Sequence, residues 1–63
     1  SNPLFFTQAI DELKIEPTEA LLIDDQDKNI NQAKELGINA FKFEEKHFND
    51  PVLFLNAMSG FGL

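Results

Sequence analysis

The rhythm of apolar and polar residues changes several times along the 63-residue chain, and each change marks an element. Near the start, Phe6, Ala9, Ile10 and Leu13 recur at i, i+3, i+4 and i+7, while Asp11, Glu12 and Lys14 fall between them. That spacing predicts a helix from Pro3 to Lys14 with one apolar stripe, and proline suits its first position. The adjacent Phe5 and Phe6 predict that more than one face of it is covered. Ile15 to Glu19 is a connection, because Pro17 prevents the helix from continuing. Ala20-Leu21-Leu22-Ile23 then forms an unbroken apolar run, the mark of a strand covered on both faces as in a parallel sheet.

Asp24 to Lys28 is polar and reads as a corner. From Lys28 to Leu36 the helical period returns, with Ile30, Ala33, Leu36 and Gly37 inside and Asn31, Gln32, Lys34 and Glu35 outside. Asp25 or Asp27 is expected to cap this helix, since its free N–H groups and dipole favour an acid there. Gly37 is placed to adopt the left-handed conformation that stops it. Ile38 to Phe43 is β-branched and aromatic, and predicts a second strand. Glu44 to Asn49 reads as a charged loop. Asp50 and Pro51 look like an N-cap and first residue for a short apolar helix over Val52 to Met58, and Ser59 to Leu63 is a glycine-punctuated tail.

Strand, helix and strand joined by short connections make a βαβ unit with parallel strands. The fold class is therefore α/β. Two parallel strands normally need neighbours in the sheet and helices on both faces. The reading is a βαβ fragment of a larger three-layer, Rossmann-like parallel sheet. It is completed by the remainder of a parent polypeptide or by self-association. Size agrees, because a chain this short buries only about 60% of its unfolded surface. No repeat or linker divides residues 1–63.

Composition narrows the function classes. The net charge is −6 and arginine is absent, which argues against a nucleic-acid backbone as partner. With no cysteine there is neither a disulfide nor a thiolate metal site. A hydrophobic content of 43%, including seven Phe, identifies a chain that folds. The Phe residues read as core, not as stacking platforms for bases. No apolar stretch approaches the ~20 residues of a membrane span, and the 52–58 segment reads as a packing helix without the basic face of an interfacial anchor. No basic-then-apolar leader is visible, so the expected location is the cytoplasm.

The candidate chemistry lies in Asp24 and Asp25. Two carboxylates at the carboxyl end of a buried strand stand where open α/β sheets build their sites. They repel unless a cation or a shared proton relieves them, and a hard divalent ion such as Mg²⁺ takes carboxylate oxygens. Asp27 is expected to be solvated or capping, and Asn29 to bond backbone across the corner. His47, with no cysteine or second histidine near it, reads as a solvated loop residue.

From Pro3 to about Phe43 the sequence resembles the carboxyl-terminal part of haloacid dehalogenase-like (HAD) hydrolases. The residues that carry this are the apolar strand ending in Asp24-Asp25, followed by Asn29, Ala33 and Gly37 at intervals of four. Upstream, Phe6, Leu13 and Pro17 fit the helix that precedes this strand in the family. The resemblance implies that Asp25 ligates Mg²⁺ directly and that Asp24 is an outer-shell or water-mediated partner. It also implies a small phosphate ester as substrate and an aspartyl-phosphate on a nucleophilic Asp, later hydrolysed by water.

The nucleophile strand, the phosphate-binding Ser or Thr and the cap have no counterpart here. Asp25-Gln26-Asp27 has the spacing of the nucleophile motif, but it lies in the corner. The family's phosphate-binding Lys would fall at or just before Ser1, which suggests a piece cut from its parent by a trypsin-like enzyme. The chain would then supply the metal-binding acids alone and be inactive by itself. Two-component receiver domains also place an acid pair after an apolar first strand, and a receiver-like signalling module is the alternative. Against it, a full helix precedes the strand here, and no later strand ends in a phospho-acceptor Asp. A third reading, a structural piece without activity, is compatible with the first.

Overall fold

A computed structural model describes residues 3–62. Along the chain it has helix α1 (Pro3–Leu13), a 3-10 turn (Pro17–Glu19), strand β1 (Leu21–Asp24), helix α2 (Asp27–Glu35), strand β2 (Asn39–Lys42), helix α3 (Glu45–Asn49) and helix α4 (Pro51–Ser59). The two strands are parallel and α2 connects them, so the βαβ unit is present. Their register pairs Leu21 with Asn39, Leu22 with Ala40, Ile23 with Phe41 and Asp24 with Lys42. No described helix is long and apolar enough to cross a membrane.

Side chains alternate across a sheet, and the contacts show which face each layer covers. Asp24 and Lys42 meet α2 through Asn29 and Asp27. Phe41, on the opposite face, meets His47 of α3, Phe54 of α4 and Phe61, with ring centroids 4.8, 5.8 and 6.2 Å away. A helix therefore lies on each side of β2. Ile30, Ala33, Ile38 and Met58 form the buried core.

Gly37 ends α2 as expected. Its φ is +83°, its N–H donates to Lys34 O at 3.0 Å, and the next N–H, that of Ile38, donates to Ala33 O at 2.9 Å. These are the paired bonds of a Schellman stop. They turn the chain directly into β2. Asp50 also caps as expected, its Oδ1 accepting from Leu53 N at 3.2 Å ahead of Pro51.

Several expectations are corrected. Residues 44–49 are not a loop: α3 occupies Glu45–Asn49. His47 is not solvated but buried, its Nδ1 accepting from Glu44 N at 3.0 Å and its ring against Phe41 and Phe43. The imidazole thus supplies a polar acceptor to the first turn of α3 and an apolar face to the sheet. β1 begins one residue into the apolar run and takes in Asp24, and β2 is shorter than the expected Ile38 to Phe43. α1 stops at Leu13, since Lys14 takes a left-handed φ of 56°.

Coverage is thinner than the sequence predicts. Phe5 is 65% exposed, so the second face of α1 is uncovered, and Phe48 and Phe61 are exposed as well. Ile23, expected between two layers, is 44% exposed. The surface of 4650 Å² exceeds the roughly 4,100 Å² typical of a folded chain of this mass. The radius of gyration, 12.4 Å, exceeds the roughly 10.6 Å of a compact domain of this length. Both excesses follow from a sheet too narrow to seat α1 and α4 fully.

Candidate functional site

The corner between β1 and α2 is organised by Asp24. One carboxylate oxygen, Oδ1, accepts from Asp25 N at 2.6 Å and from Gln26 N at 3.3 Å. The other, Oδ2, accepts from Asn29 Nδ2 at 2.8 Å. The carboxylate thus closes a short side-chain turn and ties it to the first turn of α2. These donors favour the ionised form. The Asn29 amide, more than any other neighbour, holds the Asp24 carboxyl below its usual 3.8. Partial burial opposes the shift, and Asp25 and the Gln26 N–H reinforce it.

This differs from the expected capping. The N-cap of α2 is Gln26, whose side chain makes no capping bond, and Asp27 is the first helical residue. Asp24, two residues earlier, provides the carboxylate that the turn needs. Asn29 bonds a side chain rather than backbone: it braces Asp24 from within the helix.

Asp25 is left with its carboxylate at the exposed surface. Its backbone N–H joins the turn, and its side chain lies beside the Asp24 carboxylate. The two acids, adjacent in sequence, thus occupy different situations: Asp24 is half-buried and committed to three donors, and Asp25 faces solvent at the carboxyl end of the sheet. Among the described residues, no group of three or more His, Asp or Glu side chains converges to enclose a metal.

Lys42 was not singled out by sequence reasoning. It is the register partner of Asp24, and its Nζ reaches Asp27 Oδ1 at 2.9 Å. The bond to Asp27, then that residue's charge, raises the Lys42 ammonium above its usual 10.5. The pair is well exposed, so it contributes little to stability. Its effect is to place one cation beside three acids. Only the register reveals this, since Lys42 and Asp24 meet when Gly37 has set where β2 begins. Above β2, Phe43 N donates to Asp24 O at 2.7 Å, which continues the pairing past the last rung and holds the two strand ends together.

Beside Asp25 lies an open concavity of about 380 Å³, bounded by Asp25, Phe43, Glu44, Glu45, Phe48 and Asn49. α3 forms one wall. Its existence, and hence this concavity, was not legible as a helix in the charged stretch 44–49.

No family model, curated protein or solved structure matches the chain. The corner's own chemistry therefore carries the functional reading. An ionised, well-held Asp24 has a lone pair left on Oδ2 to accept from a water. An exposed Asp25 beside it offers unhindered oxygen. That donor set suits a hard cation that keeps most of its waters and takes one or two carboxylates.

Proposed function

We propose that the chain is the metal-binding portion of a Mg²⁺-dependent phosphohydrolase of the haloacid dehalogenase-like type, acting on a small phosphate ester. The observation that supports this most is the unequal use of the acid pair. Asp24 accepts from three donors and builds the corner, whereas the Asp25 carboxylate lies beside it at the exposed surface. Asp25 then serves as the direct ligand and Asp24 as the outer-shell partner through water. Bound Mg²⁺ would supply charge neutralisation at the phosphoryl oxygens and hold them in line.

The chain's own residues do the positioning. Asn29 and the N–H groups of Asp25 and Gln26 fix the Asp24 carboxylate and keep it anionic. Asp27 holds Lys42 to one side of the acid pair. The nucleophilic Asp comes from elsewhere in the parent. β1 pairs with β2 on one edge only, so the other edge is where a further parallel strand would bring a nucleophile to the same end of the sheet. The exposed Ile23 and the thin coverage of α1 agree with a sheet that continues there. The three-layer Rossmann-like arrangement of the whole belongs to this proposal, as does the inactivity of this chain by itself.

The test is Asp25→Asn in the full protein that contains this chain. Mg²⁺-dependent hydrolysis of phosphate monoesters should be abolished, while the fold remains intact by circular dichroism. Retained activity would reject Asp25 as the ligand. On this chain alone, Mn²⁺ should broaden the amide resonances of Asp24 to Gln26 first, and uniform broadening would speak against a site at the corner.

A further inference from the structure

The concavity beside Asp25 has a composition that selects among phosphate esters. Its walls carry two aromatic rings, Phe43 and Phe48, and its only charged residues are acids, Asp25, Glu44 and Glu45. Phe48 is 76% exposed, the highest figure among the described large apolar residues. Its neighbour His47 is buried against Phe41 and Phe43. The buried imidazole thus anchors α3 to the sheet, and the next residue leaves a phenyl ring on the outer side. Two lysines lie near the rim and neither is part of the wall: Lys46 is 3.6 Å from Glu44 Oε2, and Lys42 is held by Asp27 at 2.9 Å.

From this we infer that the leaving group of the substrate is neutral and apolar, an aryl or aralkyl alcohol, and that Phe48 is the residue that selects it. The inference rests on the phosphohydrolase reading above, because it takes Asp25 as the place where the phosphoryl group is held. With that group at the acid pair, the remainder of the ester extends over Phe43 and Phe48. A ring there stacks on Phe48 and removes its exposed face from water. A leaving group bearing a carboxylate or further phosphates meets Glu44 and Glu45 instead, with no cation in the wall to offset the repulsion. Phe48 lies away from the bond that breaks, so its contact is the same before and during reaction and acts on binding.

The experiment uses the full protein containing this chain, with Mg²⁺, and compares benzyl phosphate, methyl phosphate and phosphoglycolate. Benzyl phosphate should be preferred over both others. Phe48→Ala should lower the benzyl-to-methyl ratio of kcat/KM about tenfold, through KM, as expected for loss of one aromatic contact. Glu45→Gln should improve phosphoglycolate relative to methyl phosphate, which checks the charge argument without touching the ring. An unchanged benzyl-to-methyl ratio in Phe48→Ala, or a preference for phosphoglycolate in the unmodified protein, would overturn the inference and leave the phosphohydrolase reading standing. Absence of Mg²⁺-dependent hydrolysis of all three esters would overturn both.

Discussion

Replacing Gly37 with alanine separates two effects that the structure makes distinguishable. A methyl group at this position meets nothing closer than the Cβ of Pro17, at 3.6 Å. That is ordinary contact, so crowding contributes no penalty. The penalty comes from φ, which is +83°, a region that costs an L-residue about 1–2 kcal/mol. Alanine also restricts the unfolded chain, which returns about 0.4–1 kcal/mol. The net expectation is a loss of about 1 kcal/mol, equivalent to a melting temperature lower by roughly 4–8 °C for a domain of this size. Thermal unfolding followed by far-UV circular dichroism measures it. Gly37→Asn should lose less, because asparagine tolerates the left-handed region. Equal losses for the two variants would refute the dihedral account and point to crowding against Pro17. A rise in melting temperature with alanine would refute the left-handed stop altogether.

Other expectations follow from the corner and the last helix. The folded state holds the Asp24 carboxyl below its usual 3.8, chiefly through Asn29. The stability tied to this carboxylate is therefore fully present above pH 3.8 and is lost as pH falls through the lower folded value. Asn29→Ala should move the Asp24 carboxyl titration upward, as followed by carbon NMR, and an unmoved midpoint would show that the backbone N–H groups alone set it. Asp50→Ala removes the carboxylate that accepts from Leu53 N and should destabilise by about 1 kcal/mol in urea unfolding. No change there would mean that Pro51 alone starts α4.

The elements legible in the sequence are those whose signals are local. Gly37 followed by Ile38 encodes both a helix stop and a strand start, and the structure uses it for both. Asp50-Pro51 announces α4 for the same reason: the cap and its proline act within three residues. Asp24-Asp25 at the end of an apolar run likewise marks the corner where β1 gives way to α2. α3 was hidden because its local cap is an uncommon one, a histidine three residues on that accepts from Glu44 N. It is held by His47, whose ring finds Phe41 and Phe43 across the sheet, and a lone histidine in an acidic stretch gives no sign of such a partner. The roles within the corner were hidden too. Three acids and an asparagine in six residues offer several capping arrangements, and only the strand's exit direction decides that Asp24, not Asp25 or Asp27, turns back to take the N–H groups. The exposure of Phe5, Phe48 and Ile23 is the reverse case, in which apolar character predicts burial that this length of sheet does not supply.

The uniform register of β1 and β2 has a kinetic meaning. Every rung, from Leu21 with Asn39 to Asp24 with Lys42, closes the same length of chain. The entropy of that closure is spent with the first rung, and the others follow at little further loss. α2 and the acid corner lie inside the closed segment, so joining the strands also restricts the conformations open to them. A cation that holds Asp24 and Asp25 at their folded spacing draws the strands together by mass action, and a chain parted at β2 gives up the corner with it.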